Sequence, residues 1–129
     1  MPTLTLRARP GTYAVCRLAP NTAIPTWAVN AAGFTSITRT TDELSIVCAE
    51  SVAPFDVHAE RGWALLKLDG PFDFSAVGIL AAVLQPLAAA GVSVVAVCTF
   101  DTDYVLVKRD RLSEATEALR AAGHDVRAA

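Results

Sequence analysis

The spacing of apolar residues changes from two to about 3.6 twice in the second half of the chain, at Ser75 and again at Asp110. That alternation leaves few folds open. Residues 63–69 read as a strand. Residues 75–90 read as a helix, with Val77, Leu80, Val83, Leu84 and Leu87 at three- and four-residue spacing and Ser75 placed to cap it. Residues 92–100 and 104–108 are two more strands, and residues 111–122 form a second helix with Leu112, Ala115 and Leu119 on one face. Residues 124–127 add a last strand. The order over residues 62–128 is βαββαβ, with both helices expected on one face of an antiparallel sheet. Pro86 lies inside the first helical pattern and is expected to end or kink it, because proline has no N–H to give.

The first half reads as strands with little helix. Residues 4–8 and 13–18 flank Arg9-Pro10-Gly11 as a hairpin, and residues 34–40 and 44–49 flank Thr41-Asp42-Glu43 as another. Residues 26–32 make at most a short helix ended by Gly33. The half looks like the βαββαβ plan with its helices eroded. Residues 51–61, with Pro54 and mixed charge, read as a linker. The expected division is residues 1–60 as a helix-poor half and residues 61–129 as a complete α+β, ferredoxin-like domain, two halves in pseudo-symmetric tandem.

Composition narrows the function. At 53% hydrophobic and 19% charged, the chain is core-rich and globular rather than disordered. A net charge of −2 gives no electrostatic reason to bind nucleic acid or an acidic membrane. No apolar run reaches the roughly 20 residues of a membrane span, and the first residues lack the order of a signal peptide. Cys16, Cys48 and Cys98 sit in apolar runs with no CxxC pair, which fits core thiols in a reducing cytoplasm. Trp27 and Trp63 read as core or interface anchors.

Chemistry is concentrated in two segments. Cys98-Thr99-Phe100-Asp101-Thr102-Asp103-Tyr104 turns polar between two apolar strands, where α/β sheets place ligand sites. Gly70-Pro71-Phe72-Asp73-Phe74-Ser75-Ala76-Val77-Gly78-Ile79 leads from a strand into a helix, with Gly78 inside the helix's first turns. A helix N-terminus offers free N–H groups to a carboxylate. Asp103, at the strand edge, suits an ammonium, and Asp101 competes with it. The same acids and threonines also suit ordinary turn chemistry, and Asp73 suits a brace for the turn. Catalysis has no support. His58 and His124 have no partner at metal spacing, and Cys98, which precedes Thr99 and could face the site, has no nearby basic residue to lower its pKa. No nucleophile elbow, phosphate loop or dinucleotide fingerprint occurs. The expectation is a binding protein, not an enzyme, with no metal and no cofactor.

Gly62-Trp63, the run from Leu66 to Ser75, Gly78-Ile79-Leu80 and the run from Thr99 to Lys108 together resemble the small bacterial ACT-domain proteins. Phe34-Thr35-Ser36-Ile37-Thr38-Arg39-Thr40 and the run from Asp42 to Cys48 extend the resemblance over nearly the whole chain. This subgroup is similar to the ACT modules of the cytosolic arginine sensor. The resemblance implies tandem ACT domains that bind a free amino acid or similar small effector between the two halves. It implies as contacts Ser45 and Ile46, then Asp73, Phe74, Ser75, Val77, Gly78 and Ile79, then Thr99, Phe100 and Asp103. Beside Gly78 the loop lacks the acidic residue that receives a guanidinium in the arginine-binding members. With no output domain expected, regulation would act through a homodimer or a protein target. The alternatives are an interaction module without a ligand and a small enzyme of ferredoxin-like fold.

Overall fold

The computed structural model describes residues 2–128. They form two compact units. One holds Gly11–Trp63, and the other holds the described residues up to Pro10 together with those from Ala64 onward.

The second of these carries β1 (Thr5–Ala8), the latter part of β5 (Ala59–Leu68), α2 (Ile79–Ala89), β6 (Val94–Cys98), β7 (Asp103–Lys108), α3 (Leu112–Ala121) and β8 (Asp125–Ala128). From Ala59 on, the element order is the expected βαββαβ. The sheet within this unit runs β8-β1-β5-β7-β6. Leu6, Leu66, Leu68, Val105, Val107 and Val126 all turn to one face, where Ala82, Val83 and Leu87 of α2 and Ala115 and Leu119 of α3 cover them. Alternation with period two along the strands and 3.6 along the helices puts these residues on matching faces.

Three expectations are corrected here: the hairpin of residues 4–8 with 13–18, the antiparallel sheet and an end to the first helix at Pro86. β1 does not form a hairpin with residues 13–18. It pairs antiparallel with β5, Leu6 opposite Leu68, and parallel with β8, Leu6 opposite Val126. It is therefore inserted between β8 and β5, and the sheet is mixed rather than wholly antiparallel. The reason is burial: this position puts Leu4 and Leu6 under the helices, where Leu6 is fully enclosed. Pro86, in turn, does not end α2, which runs through it to Ala89. A proline leaves the carbonyl four residues earlier without its helical donor. Here that carbonyl belongs to Ala82, and the His124 ring bonds it through Nε2 at 2.8 Å. Because Nε2 must then carry the proton, Nδ1 is free to accept, and it takes the Leu4 N–H at 3.1 Å. One buried imidazole thus joins β1, α2 and the start of β8.

The other unit carries β2 (Tyr13–Leu18), α1 (Thr26–Val29), β3 (Ser36–Arg39), β4 (Leu44–Ala49) and the first residues of β5. β4 pairs antiparallel with both β2 and β3, which makes the expected hairpin of residues 34–40 and 44–49, its first strand shortened to Ser36–Arg39. Its core is small: Ala14, Cys16, Leu44, Ile46 and Cys48 turn to one face under Ala28 of α1. Trp27 packs against the same cluster. Cys16 and Cys48 are buried as expected, and the thiol contact with Cys16 together with burial keeps the Cys48 thiol protonated. The expected linker is shorter than residues 51–61, because Ala59 and Glu60 already pair with Cys16 and Val15. No helix among the described residues is long and apolar enough to cross a membrane.

Candidate functional site

Two connections meet beyond the ends of β5 and β6. The first leaves β5 at Leu68. Asp69, the next residue, donates its N–H to the Thr5 carbonyl, and its carboxylate accepts the Arg7 Nε–H through both oxygens, at 2.8 and 3.0 Å. The Arg7 guanidinium holds the Asp69 carboxyl below the usual carboxylate range. The chain then turns through a cis Gly70–Pro71 peptide and enters α2 at Gly78.

The second connection is the β6–β7 turn. Cys98 and Asp103 face each other as the last pair of that ladder. Thr99 closes the turn by donating its N–H and its hydroxyl to the Thr102 carbonyl, at 2.8 and 3.0 Å. The buried Thr102 hydroxyl reaches out of the turn and donates to the Leu68 carbonyl at 2.7 Å. The Phe72 N–H donates to the Asp101 carbonyl at 2.8 Å. These two bonds hold the loop against the turn. Gly70 sits where they cross: a Cβ there would lie 2.9 Å from the Asp101 carbonyl oxygen and 3.2 Å from Thr102 Cβ.

Between the two connections lies a pocket of about 210 Å³, lined by Phe72, Asp73, Phe74, Ala76, Ile79 and residues 98–103. Its mouth is formed by Phe74 and Phe100, 78% and 77% exposed, which meet edge to face with centroids 4.8 Å apart. The lining brings together Asp73, Phe74, Ile79, Thr99, Phe100 and Asp103 of the expected contacts. Ser75, Val77 and Gly78 belong to the same loop but do not line the pocket, and Val77 points to solvent. Ser45 and Ile46 lie on β4 in the other unit; Ile46 is fully buried in that unit's core, and Ser45 pairs with Arg17 and Thr38.

The start of the helix is corrected as well. Gly78 is the residue before α2, with φ +81°, and Ser75 makes no cap. A left-handed residue there lets the chain swing from the loop into the helix axis, and a β-branched side chain would be strained in it. Counting the apolar pattern from Val77 starts the helix a turn too early, because Val77 is apolar yet exposed.

Phe72, Ala76 and Thr102 line the pocket without being among the expected contacts, and Asp101 lines it beside Asp103 rather than in its place. Cys98 is exposed at the end of β6, not a core thiol. Its position next to Thr99 is the one signal in the sequence that points to this. The Asp103 carboxylate, opposite Cys98 on the neighbouring strand, pushes the thiol's pKa up from its ordinary value, and burial adds to it. The thiolate is the reactive form. Iodoacetamide at mildly alkaline pH should therefore modify Cys98 of the folded protein several-fold more slowly than in Asp103→Asn, read by mass spectrometry. Equal rates would show that Asp103 does not govern the thiol. Among the described residues no three His, Cys, Asp or Glu side chains gather as a metal-binding group.

The βαββαβ order from Ala59 onward and the pocket at its strand ends agree with a match of residues 58–121 to the ACT-domain family. Residues 58–121 form an ACT domain. A separate N-terminal-domain family matches residues 11–56. Atu0741 of Agobacterium tumefaciens has a solved structure 41% identical to this chain, covering 100% of it and 96% of the other, with TM-score 0.94. VC0802 of Vibrio cholerae, a protein of unknown function, is 19% identical, covering 93% and 90%, with TM-score 0.75. The ligand-free regulatory subunit of aspartate kinase from Thermus thermophilus is 13% identical, covering 88% and 93%, with TM-score 0.59. The last two likenesses are of fold alone. No curated protein matches the chain. ACT domains commonly serve as regulatory modules that bind amino acids or other small molecules, and the fold of this ACT-domain protein is that of the regulatory modules.

Proposed function

We propose that this ACT-domain protein is a regulatory module that binds a free amino acid or similar small effector in the pocket between residues 72–79 and 98–103. The observation that carries the reading is the convergence of an acidic, aromatic-mouthed cavity at the strand ends, where six of the expected contacts come together. Its volume of about 210 Å³ lies below the roughly 300–1,000 Å³ of drug-sized sites and suits a ligand of amino-acid size. Asp103 receives the ammonium: it is half-buried at the pocket wall and fixed in place by the first pair of β7. Output passes through a homodimer or a protein target whose contact the bound effector strengthens or weakens.

A thermal-shift screen of the twenty common amino acids tests the reading, followed by calorimetry on the strongest hit. Loss of a carboxylate that pairs a desolvated ammonium costs about 2–5 kcal/mol. Asp103→Ala is therefore expected to weaken binding at least about tenfold, while the unliganded protein melts near the wild-type temperature because the side chain is only half-buried. A screen with no shift, or equal affinity of wild type and variant, would remove this pocket as the effector site.

A further inference from the structure

Resting on that assignment of the pocket, the charge of its lining says which end of the ligand is read. Three carboxylates, Asp73, Asp101 and Asp103, line it, and no Lys, Arg or His does. The neighbouring basic side chain, Lys67, lines a separate cavity of about 250 Å³ on the other side of Asp101 and Thr102, together with Asp69. A ligand carboxylate would find positive potential only at the first turn of α2, where Ile79 lines the wall. A helix N-terminus is worth about half an elementary charge, and its effect falls off within one turn. Three aspartates outweigh it. The pocket is therefore hostile to an anion and suited to a cation.

The remaining lining is apolar. Phe74 and Phe100 present exposed ring edges and faces at the mouth. An aromatic face attracts an ammonium and also covers an alkyl or aryl body. Cys98 lies opposite Asp103 on the adjacent strand and can give it at most one hydrogen bond. A carboxylate has about four lone-pair sites, so this thiol leaves Asp103 able to accept an ammonium as well.

We infer that the pocket recognises the ammonium end of an amine with an apolar body, and that a carboxylate on the same ligand adds nothing to affinity. A decarboxylated amino acid then binds at least as tightly as its parent.

Three probes that share one side chain separate the ends: 2-phenylethylamine, phenylalanine and 3-phenylpropanoate, titrated calorimetrically into the full chain. The amine is expected to bind as tightly as phenylalanine or more tightly, with 3-phenylpropanoate giving no binding heat. Amine binding should weaken as sodium chloride is raised. It should also weaken at least about tenfold in Asp103→Asn, with Asp101→Asn as the second variant if the first does not fold. Phenylalanine binding about tenfold or more tighter than the amine would overturn the inference while leaving the pocket as an amino-acid site. Silence of all three probes in a protein that still responds to another amino acid would overturn it too. Silence to the whole amino-acid panel as well would remove both readings.

Discussion

Replacing His124 with alanine is expected to lower the unfolding free energy by about 3–5 kcal/mol. His124 is 6% exposed, and both its ring nitrogens are engaged. Alanine would leave two backbone groups without partners, the Leu4 N–H and the Ala82 carbonyl, in a site closed to water. Each such orphan costs about 1–3 kcal/mol, and the vacated ring space adds to it. The cost should depend on Pro86. An alanine at position 86 restores the helical N–H that Ala82 lacks, so one of the two orphans disappears. His124→Ala should therefore cost at least about 1 kcal/mol less in a Pro86→Ala background than in the wild type. Urea unfolding of the four proteins closes the cycle. The same cost in both backgrounds would show that His124 does not stand in for the missing donor.

Gly70→Ala is expected to lower stability by about 1–3 kcal/mol and to abolish effector binding at the pocket. The added Cβ would lie 2.9 Å from the Asp101 carbonyl oxygen, closer than such atoms come, and 3.2 Å from the Phe72 nitrogen. These are backbone atoms and cannot swing aside as a flexible side chain would. Relief requires the loop and the β6–β7 turn to part. That movement breaks the Phe72–Asp101 bond and strains the Thr102–Leu68 bond, and these two hold the pocket walls together. Urea unfolding reads the stability, and calorimetry with the strongest amino-acid hit reads the site. Wild-type stability with wild-type affinity would mean that the turn yields without opening the pocket.

Much of the fold is legible in the residues. Val83, Leu87, Ala115 and Leu119 face the core because their spacing matches one helix face, and Leu66, Leu68, Val105 and Val107 do so because they alternate. Period tells which way a side chain points, and it is a local property of the chain. The candidate site is partly legible for a related reason. A polar run such as Thr99 to Asp103 between two apolar strands has no place in a buried sheet, so it marks a strand end. Phe72 and Cys98 are harder, since an apolar residue beside a strand reads the same whether it faces a core or a cavity.

Local patterning was thus enough for the element order from Ala59 onward, for the inward faces of those elements and for the polar turn that forms a pocket wall. It was not enough for the partners, which depend on residues far apart in the chain. Arg9-Pro10-Gly11 has the chemistry of a hairpin turn, yet β1 pairs with β5 and β8, because that site encloses Leu6 beneath two helices. Pro86 has the chemistry of a helix breaker, yet α2 passes through it, because His124, 38 residues further on, supplies a bond to the carbonyl that proline leaves open. Local rules count the bonds a segment can make with itself. A folded chain also gains the bonds and the apolar burial that distant residues bring, and at β1 and Pro86 those gains outweigh the local preference.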